Sequence, residues 1–210
     1  MYPKSGYKTI TPTQIAKAIS SYDAVAISFR ALRAYLGCFA LVAIREAAKR
    51  SQARKGKGRG LITPRYREKE LSRLLGFSEC QIRKDLRLLS KLSLLHFSNS
   101  EIEIESNPLP GTGELLSAIK GKRSPFRPIP VPRSYIRFLA RSSKPALFKV
   151  LLGYLCRGLS IDRATGEVRG AGTVKLSWIS RVFGISERAA NYARTELIEM
   201  GLISKETGSV

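Results

Sequence analysis

Two short stretches of the chain carry side chains that suit hydrogen bonding to phosphates and to the edges of bases. The first contains Arg83, Lys84 and Arg87, and the second contains Arg188 and Asn191. Arginine and lysine can donate to phosphate oxygens or to the O6 and N7 atoms of guanine, and asparagine can form two hydrogen bonds with adenine. Because residues three and four positions apart share one face of a helix, each stretch would present its polar groups together. These residue types indicate recognition of nucleic acid.

The residue types that support catalysis or metal binding are too scattered for either. Cys38, Cys80 and Cys156 include no C-x-x-C pair, and His96 is the single histidine. Zinc sites and disulfide frameworks have closer spacings, so we expect unpaired thiols that pack as small apolar residues. The sequence also has no G-x-x-x-x-G-K-[ST] phosphate loop and no set of residues resembling a Ser/His/Asp triad. We therefore predict a protein that is not an enzyme and has no metal, no cofactor and no evident small-molecule ligand.

A nine-residue sequence that occurs twice would position the two polar stretches. LSRLLGFSE at 71–79 and ISRVFGISE at 179–187 are identical at five positions and exchange one apolar residue for another at the other four. Each copy predicts a helix that ends at a left-handed glycine, followed by a second helix capped by a serine. In the first copy, Ser78 and Gln81 would form a capping box. Apolar residues would then face inward, namely Ile82, Leu86 and Leu89 in the first copy and Ala190, Leu197 and Met200 in the second.

This arrangement resembles the helix-turn-helix of DNA-binding proteins, whose second helix enters the major groove. Each copy is followed by an apolar run and then a predicted strand, at Leu92–Phe97 before the alternating EIEIE in the first half and at GLIS, 201–204, in the second. A helix-turn-helix with a hairpin is similar to the winged-helix family. In the second half, SIDRATGEVRGAGTVK predicts a hairpin before the second copy. With its Pro-Arg opening, the TGEV turn of this hairpin and its ending EMGLI at 199–203, the second half resembles winged-helix domains of plasmid and phage replication proteins. That resemblance implies two tandem winged helices, one mainly for dimerisation and one for specific DNA binding.

The fold class that we predict is mainly α with small β-hairpins (α+β), built from two tandem winged helix-turn-helix domains. The exposed faces of both recognition helices, and the arginines of the helices before them, are the predicted DNA-binding surface. Its members are Arg73, Ser78, Gln81, Arg83, Lys84, Arg87, Arg181, Ser186, Arg188, Asn191, Tyr192 and Arg194.

The net charge supports a polyanionic partner. The chain has 37 Lys+Arg against 16 Asp+Glu, which gives a formal net charge of +21. Folding does not need such an excess, and the excess causes self-repulsion, so nucleic acid is the partner that it indicates. A glycine-rich basic loop that includes Lys55, Lys57 and Arg59 would follow the phosphate backbone without reading its sequence.

The distribution of prolines predicts the domain boundaries. Prolines concentrate at the start of the second half, which predicts a linker at 106–130, with at most one or two helical turns at Glu114–Lys120. The linker would join an N-terminal domain at 1–105 to a C-terminal domain at 131–210. The N-terminal domain would contain a short capped helix, a long helix from Asp23 to about Arg54, and the basic loop.

Three glutamates, Glu101, Glu103 and Glu105, alternate with isoleucines and would share one face of a strand. Phosphate would repel this face. We therefore expect the first hairpin to point away from a bound duplex and to pair with a partner or a second copy of the chain, which would make the protein a homodimer through its N-terminal domain.

Together these patterns predict a sequence-specific double-stranded DNA-binding protein, a replication initiator of a plasmid or other mobile element. A transcriptional regulator that represses at an operator is the alternative. A winged-helix scaffold for protein interactions is a third, although a scaffold needs no such charge, and RNA binding would call for aromatic-rich strands. The chain has no run of 18 apolar residues and no N-terminal secretory pattern, so we predict a cytoplasmic protein associated with the nucleoid or a plasmid, without membrane contact.

Overall fold

The computed structural model describes residues 7–54, 68–98, 101–104, 112–120, 129–161, 168–170 and 174–204. Within these ranges the protein is mainly helical with short antiparallel strand pairs, which confirms the mainly α class. No helix in them has the length and apolar character needed to cross a membrane. The helices are α1 Pro12–Asp23, α2 Phe29–Arg54, α3 Glu68–Leu75, α4 Glu79–Lys91, α5 Gly113–Lys120, α6 Arg133–Arg141, α7 Pro145–Gly158, α8 Leu176–Phe183 and α9 Glu187–Glu199. The strands are β1 Tyr7–Ile10, β2 Leu95–Ser98, β3 Glu101–Ile104, β4 Ile129–Pro132, β5 Leu159–Ile161 and β6 Val168–Gly170, paired β1–β4, β2–β3 and β5–β6.

The N-terminal helices differ from the predicted ones in where the long helix begins. The short helix α1 is capped, as predicted, and the cap is Thr11 in a capping box with Gln14. The chain leaves α1 after Asp23, and Val25 has a φ of 59°, a left-handed conformation that interrupts a right-handed helix. The long helix α2 therefore starts at Phe29 and not at Asp23.

The repeated sequence forms the same local structure twice. Helices α3 and α4 make up the first helix pair, helices α8 and α9 make up the second, and a three-residue turn joins each pair. Gly76 and Gly184 open these turns with φ of 74° and 59°, which confirms the predicted left-handed glycines. Ser78 then caps α4 in a reciprocal capping box, and Ser186 accepts a 3.2 Å hydrogen bond that caps α9. The spacing between glycine and serine thus sets both turns.

The repetition continues beyond the nine residues. Ser93 and Gly201, which are as far apart in sequence as the two turn glycines, both have positive φ, 53° and 68°. They end α4 and α9 in the same kind of turn. A side chain from an earlier helix holds each turn: Lys17 donates to the carbonyl of Ser93 at 3.1 Å, and the Tyr135 hydroxyl donates to the carbonyl of Leu202 at 2.8 Å. Different residues therefore make the same tertiary connection in the two halves.

Helices α2 and α7 occupy corresponding places behind the two helix pairs. A Cβ atom added at Gly37 in α2 would lie 3.2 Å from side-chain carbons of Leu71 and Leu75, and one added at Gly153 in α7 would lie 2.9 Å from Ile179. Leu71 and Ile179 are the first residues of the two sequence copies. A glycine therefore permits the same close approach of helices in both halves.

One cation in each of these helices connects the two halves in a reciprocal way. Arg33 in α2 donates to a carbonyl at the end of α3 at 3.5 Å, and to two carbonyls at the end of α6 at 2.8 and 3.2 Å. Lys149 in α7 donates to a carbonyl at the end of α8 at 2.8 Å, and pairs with Asp23 at the end of α1 at 2.7 Å. Each cation thus contacts the helix pair of its own half and the first helix of the other half. Two-fold partners in a dimer are related in this reciprocal manner.

Parts of the predicted linker belong to the fold. Strand β4 pairs with β1 from the start of the chain, with Thr9 opposite Pro130, and all four residues of β4 are buried. Helix α5 buries Ile119. Helix α5 agrees with the one or two helical turns predicted at Glu114–Lys120. The last residues of 106–130 belong to β4 and pair with the start of the described chain, which the linker prediction did not include. The division into domains at 1–105 and 131–210 stays a prediction. The buried side chains of both halves form one cluster.

The hairpins agree with the sequence except after α9. Ile102 on β3 is buried and Ile104 is half-buried, as the alternation predicts, and the predicted hairpin before α8 is β5–β6. Residues 201–204, predicted as a strand, instead form a turn and bends. Met200 was predicted to face inward but is 49% exposed, because it lies at the C-cap of α9, where the helical periodicity stops.

Candidate nucleic-acid interface

Helix α4 presents a basic face to solvent. Its inward residues Ile82, Leu86 and Leu89 are at most 1% exposed, as predicted. The opposite side carries the exposed cations together with an exposed thiol. These residues are Cys80, Arg83, Lys84, Arg87 and Lys91. The periodicity of the apolar residues thus positions four positive charges along one helix of thirteen residues.

The cap of α4 uses two of the predicted contact residues. The side chain of Ser78 accepts from the Gln81 N–H at 3.3 Å, and the Gln81 side chain accepts from the Ser78 N–H at 3.2 Å. Both residues are exposed, but their side chains are occupied by each other. They fix the first turn of α4, and this sets the direction in which the following cations point.

Arg83 has a protein partner on α3. Its Nε lies 3.3 Å from Glu68 Oε1, and its side chain remains 51% exposed. Exposed ion pairs of this kind contribute about 0–1 kcal/mol. A phosphate could therefore replace Glu68 at small cost, whereas Lys84 and Arg87 have no such competitor among the described residues.

The turn between α3 and α4 is braced by two arginines that the sequence analysis did not single out. Arg33 lies over the ring of Phe77, with its Cζ 4.5 Å from the ring centre. Arg141, at the end of α6, donates from Nε to the carbonyl of Leu74 at 2.8 Å. Arg73, one residue earlier on α3, is exposed as predicted. Three arginines thus lie at the turn between α3 and α4. Of these, Arg33 and Arg141 are brought there by tertiary contacts, which local sequence does not predict.

Helix α9 presents a mixed polar face. Arg188, Asn191 and Tyr192 are exposed, and so is Arg181 on α8, as predicted. Tyr192 is 64% exposed, and the guanidinium of Arg188 lies 5.7 Å from its ring centre. Such a stacked arginine and tyrosine, with a neighbouring amide, can contact phosphates and base edges.

Arg194 is the predicted site residue that the structure places elsewhere. It is half-buried, and its Nε is buried without a hydrogen-bond partner among the described residues. Burial raises the pKa of Tyr154 on α7, and the charge of Arg194 opposes that shift, so the two side chains are close. Arg194 packs between α7 and α9 instead of sharing the exposed face of α9. Its place on the side of the helix depends on where α7 lies, which helical spacing alone does not give.

Lys55, Lys57 and Arg59 lie outside the described residues. All three cysteines are free: Cys38 and Cys156 are buried as expected, while Cys80 is exposed on α4. In the described part of the chain, no three His, Cys, Asp or Glu side chains are grouped as metal ligands.

Comparisons of the chain with protein-family models, with curated proteins and with solved structures found no match.

Proposed function

We propose that this protein binds double-stranded DNA sequence-specifically as a replication initiator of a plasmid or other mobile element. The observation that carries the proposal is the repeated helix pair, a glycine-ended helix followed by a serine-capped helix, whose first copy presents four exposed cations. In helix-turn-helix proteins the second helix enters the major groove. In this chain those helices are α4 and α9. The formal net charge of +21 fits a phosphate-rich partner.

The two recognition helices would contribute differently. Helix α4 offers Lys84 and Arg87, which suit phosphates and guanine, whereas α9 offers Asn191, which suits adenine. Helix α9 also carries Glu187 in its first turn and Glu199 at its end, so its exposed face has no net positive charge. We expect α4 to supply most of the electrostatic attraction and α9 to supply base discrimination.

The reciprocal contacts of Arg33 and Lys149 support a role for both pairs in one complex. Through Ala140 and Asp23, respectively, they relate the two halves as partners in a dimer are related. One chain would then bring two unlike recognition helices to a single stretch of duplex. A target made of two different half-sites follows from this arrangement.

The first prediction concerns salt. With about six to ten phosphate contacts, the affinity of the intact chain for duplex DNA falls roughly 10³–10⁵-fold between 50 and 200 mM salt. The measurement is fluorescence anisotropy with a duplex selected from a random pool and with a scrambled duplex of equal length. Binding that is independent of salt would contradict the proposal, and equal affinity for both duplexes would remove sequence specificity from it.

The choice between initiation and operator binding needs a second measurement. Footprinting on the replicon that encodes the chain would show repeated sites beside an AT-rich tract if the protein is an initiator. One protected site at a promoter would instead support the regulator.

A further inference from the structure

Helix α6 carries an arginine stripe that the predicted DNA-binding surface does not include. Arg133, Arg137 and Arg141 are spaced four residues apart on α6, so they lie on one side of the helix, and this helix has no acidic residue. Arg137 and Arg141 are exposed, while Arg133 is half-buried. The buried side of α6, formed by Tyr135, Ile136, Leu139 and Ala140, packs into the core. The two outer arginines are therefore held on a rigid element that belongs to the second half.

Arg141 places this stripe beside the first helix pair. Its Nε donates to the carbonyl of Leu74 at 2.8 Å, next to exposed Arg73 on α3. The bond uses one edge of the guanidinium, and the described residues offer no acceptor to its two Nη groups. Those groups form the fork that binds a phosphate with two parallel hydrogen bonds. The bond to Leu74 thus orients Arg141 and leaves its phosphate-binding atoms available.

The charges at this junction are not neutralised by the protein. Arg73, Arg137 and Arg141 have no carboxylate partner among the described residues. The corresponding junction of the second half is different, because there Asp23 pairs with Lys149 at 2.7 Å and the positive charge is balanced. An excess of positive charge at one junction alone indicates a binding surface and not a general feature of the fold.

We propose that Arg137 and Arg141, together with Arg73, form a phosphate-binding track that carries one DNA strand from the first helix pair across to the second half. The proposal rests on the proposed function, because it assumes a bound duplex. It adds a contact surface that belongs to neither recognition helix. Since phosphate contacts carry no sequence information, the track contributes affinity without discrimination.

The test compares Arg137→Gln with Arg137→Lys in the full chain. Arg137 makes no described contact that folding depends on, and circular dichroism melting checks that each variant is folded. Loss of one phosphate contact lowers the slope of log affinity against log salt by about 0.9, which corresponds to roughly tenfold weaker binding near 100 mM salt. Arg137→Gln should show this loss equally on the selected and the scrambled duplex, and Arg137→Lys should retain most of the binding. Lys120→Gln, at the end of α5, is the control that removes one charge outside the track and leaves binding unchanged.

The outcomes separate the track from the proposed function. If the wild-type chain binds duplex DNA with strong salt dependence and Arg137→Gln behaves like Lys120→Gln, the track is wrong and the proposed function stands. A loss confined to the selected duplex would make Arg137 a base-reading residue and would also overturn the track. If the wild-type chain does not bind duplex DNA, both proposals fail. Arg141→Gln serves as the second variant, with the same expected change in slope.

Discussion

Arg33 and Lys149 show that part of the chain's positive charge serves the fold. Each side chain donates to carbonyls at the ends of helices, where the partial negative charge of the helix favours a cation. Burial lowers the pKa of Arg33 from its ordinary value, yet an arginine remains charged at neutral pH. Such cations are not available to DNA. Among the described residues, the exposed cations of α3, α4 and α6 can instead face a phosphate backbone.

The three thiols differ in exposure, so they should differ in reactivity. Burial raises the pKa of Cys38 and of Cys156 to about 12, so at pH 8 these two groups are protonated as well as inaccessible. The thiolate is the reactive form, and Cys80 is the exposed thiol on the basic face of α4. One thiol per chain should therefore react rapidly with a thiol reagent such as dithionitrobenzoate. Saturating duplex DNA at low salt should slow that reaction severalfold, because α4 would be covered.

Two controls accompany the labelling experiment. The variant Cys80→Ser should lose the rapid phase, and the chain unfolded in urea should expose all three thiols. Unchanged labelling of Cys80 under saturating duplex would mean that α4 does not face the DNA, even if binding itself is strong.

Helical spacing predicts the exposure of a site residue well at the centre of the polar face and poorly at its edge. Lys84, Arg87 and Asn191 sit opposite the apolar residues, so helical spacing alone placed them correctly in solvent. Arg194 sits at the side of its helix, where a neighbouring helix decides whether the residue is buried. Arg141 escaped prediction because its relation to the first helix pair depends on a hydrogen bond between residues that are far apart in sequence.

At the scale of elements, the two halves differ at the positions where α2 faces α4 and, correspondingly, where α7 faces α9. In the first half, Arg30 on α2 makes two hydrogen bonds with Asp85 on α4, at 2.8 and 3.0 Å. The corresponding positions of the second half, counted from the glycines of α2 and α7 and from the turn glycines, hold Ala146 and Ala193. A bidentate ion pair in one half thus occupies positions that hold small apolar residues in the other.

The burial of the two partners predicts how the unfolding free energies of variants at Arg30 and Asp85 should rank. The Asp85 side chain is 4% exposed and that of Arg30 is 38% exposed, so Arg30→Ala would leave a buried carboxylate unpaired. We expect Arg30→Ala to cost about 2–4 kcal/mol of unfolding free energy, a buried-pair cost reduced because Arg30 is partly hydrated. Asp85→Ala should cost only about 1–2 kcal/mol, since Arg30 can turn to water. The double variant, which copies the second half, should cost no more than Asp85→Ala alone.

Urea unfolding followed by circular dichroism would rank these three variants. A larger loss for Asp85→Ala than for Arg30→Ala, or a double variant whose loss equals the sum of the single losses, would contradict the argument.

Elements defined by local spacing were predictable, and elements defined by distant partners were not. The turns at Gly76 and Gly184 follow from a glycine and a serine two positions apart, which act through neighbouring backbone groups. The prolines around Pro130 instead favour a linker, because no residue near them indicates that β4 pairs with β1 at the start of the described chain. Proline is tolerated there because a two-stranded ladder leaves one edge of each strand unpaired.

At the scale of the whole molecule, the two halves are joined by more than a connecting segment. The β1–β4 pairing, the contacts of Arg33 and the pairing of Lys149 with Asp23 all cross between them. The buried side chains of both halves also form one cluster. We therefore expect the chain to unfold as one cooperative unit, in which the relative placement of α4 and α9 is part of the folded state and not set by a tether.

This expectation can be tested because the chain has one tryptophan, Trp178, and it lies in the second half. Leu86 is 1% exposed in the first half, and Leu86→Ala should cost about 2–5 kcal/mol. In a cooperative molecule this variant lowers the urea midpoint of Trp178 fluorescence by as much as it lowers the midpoint from circular dichroism. Leu197→Ala, an equally buried change in the second half, is the matched control and should shift both signals together. If Leu86→Ala leaves the fluorescence midpoint unchanged while circular dichroism shows an earlier transition, the halves fold independently, and the reciprocal contacts do not fix the two recognition helices relative to each other.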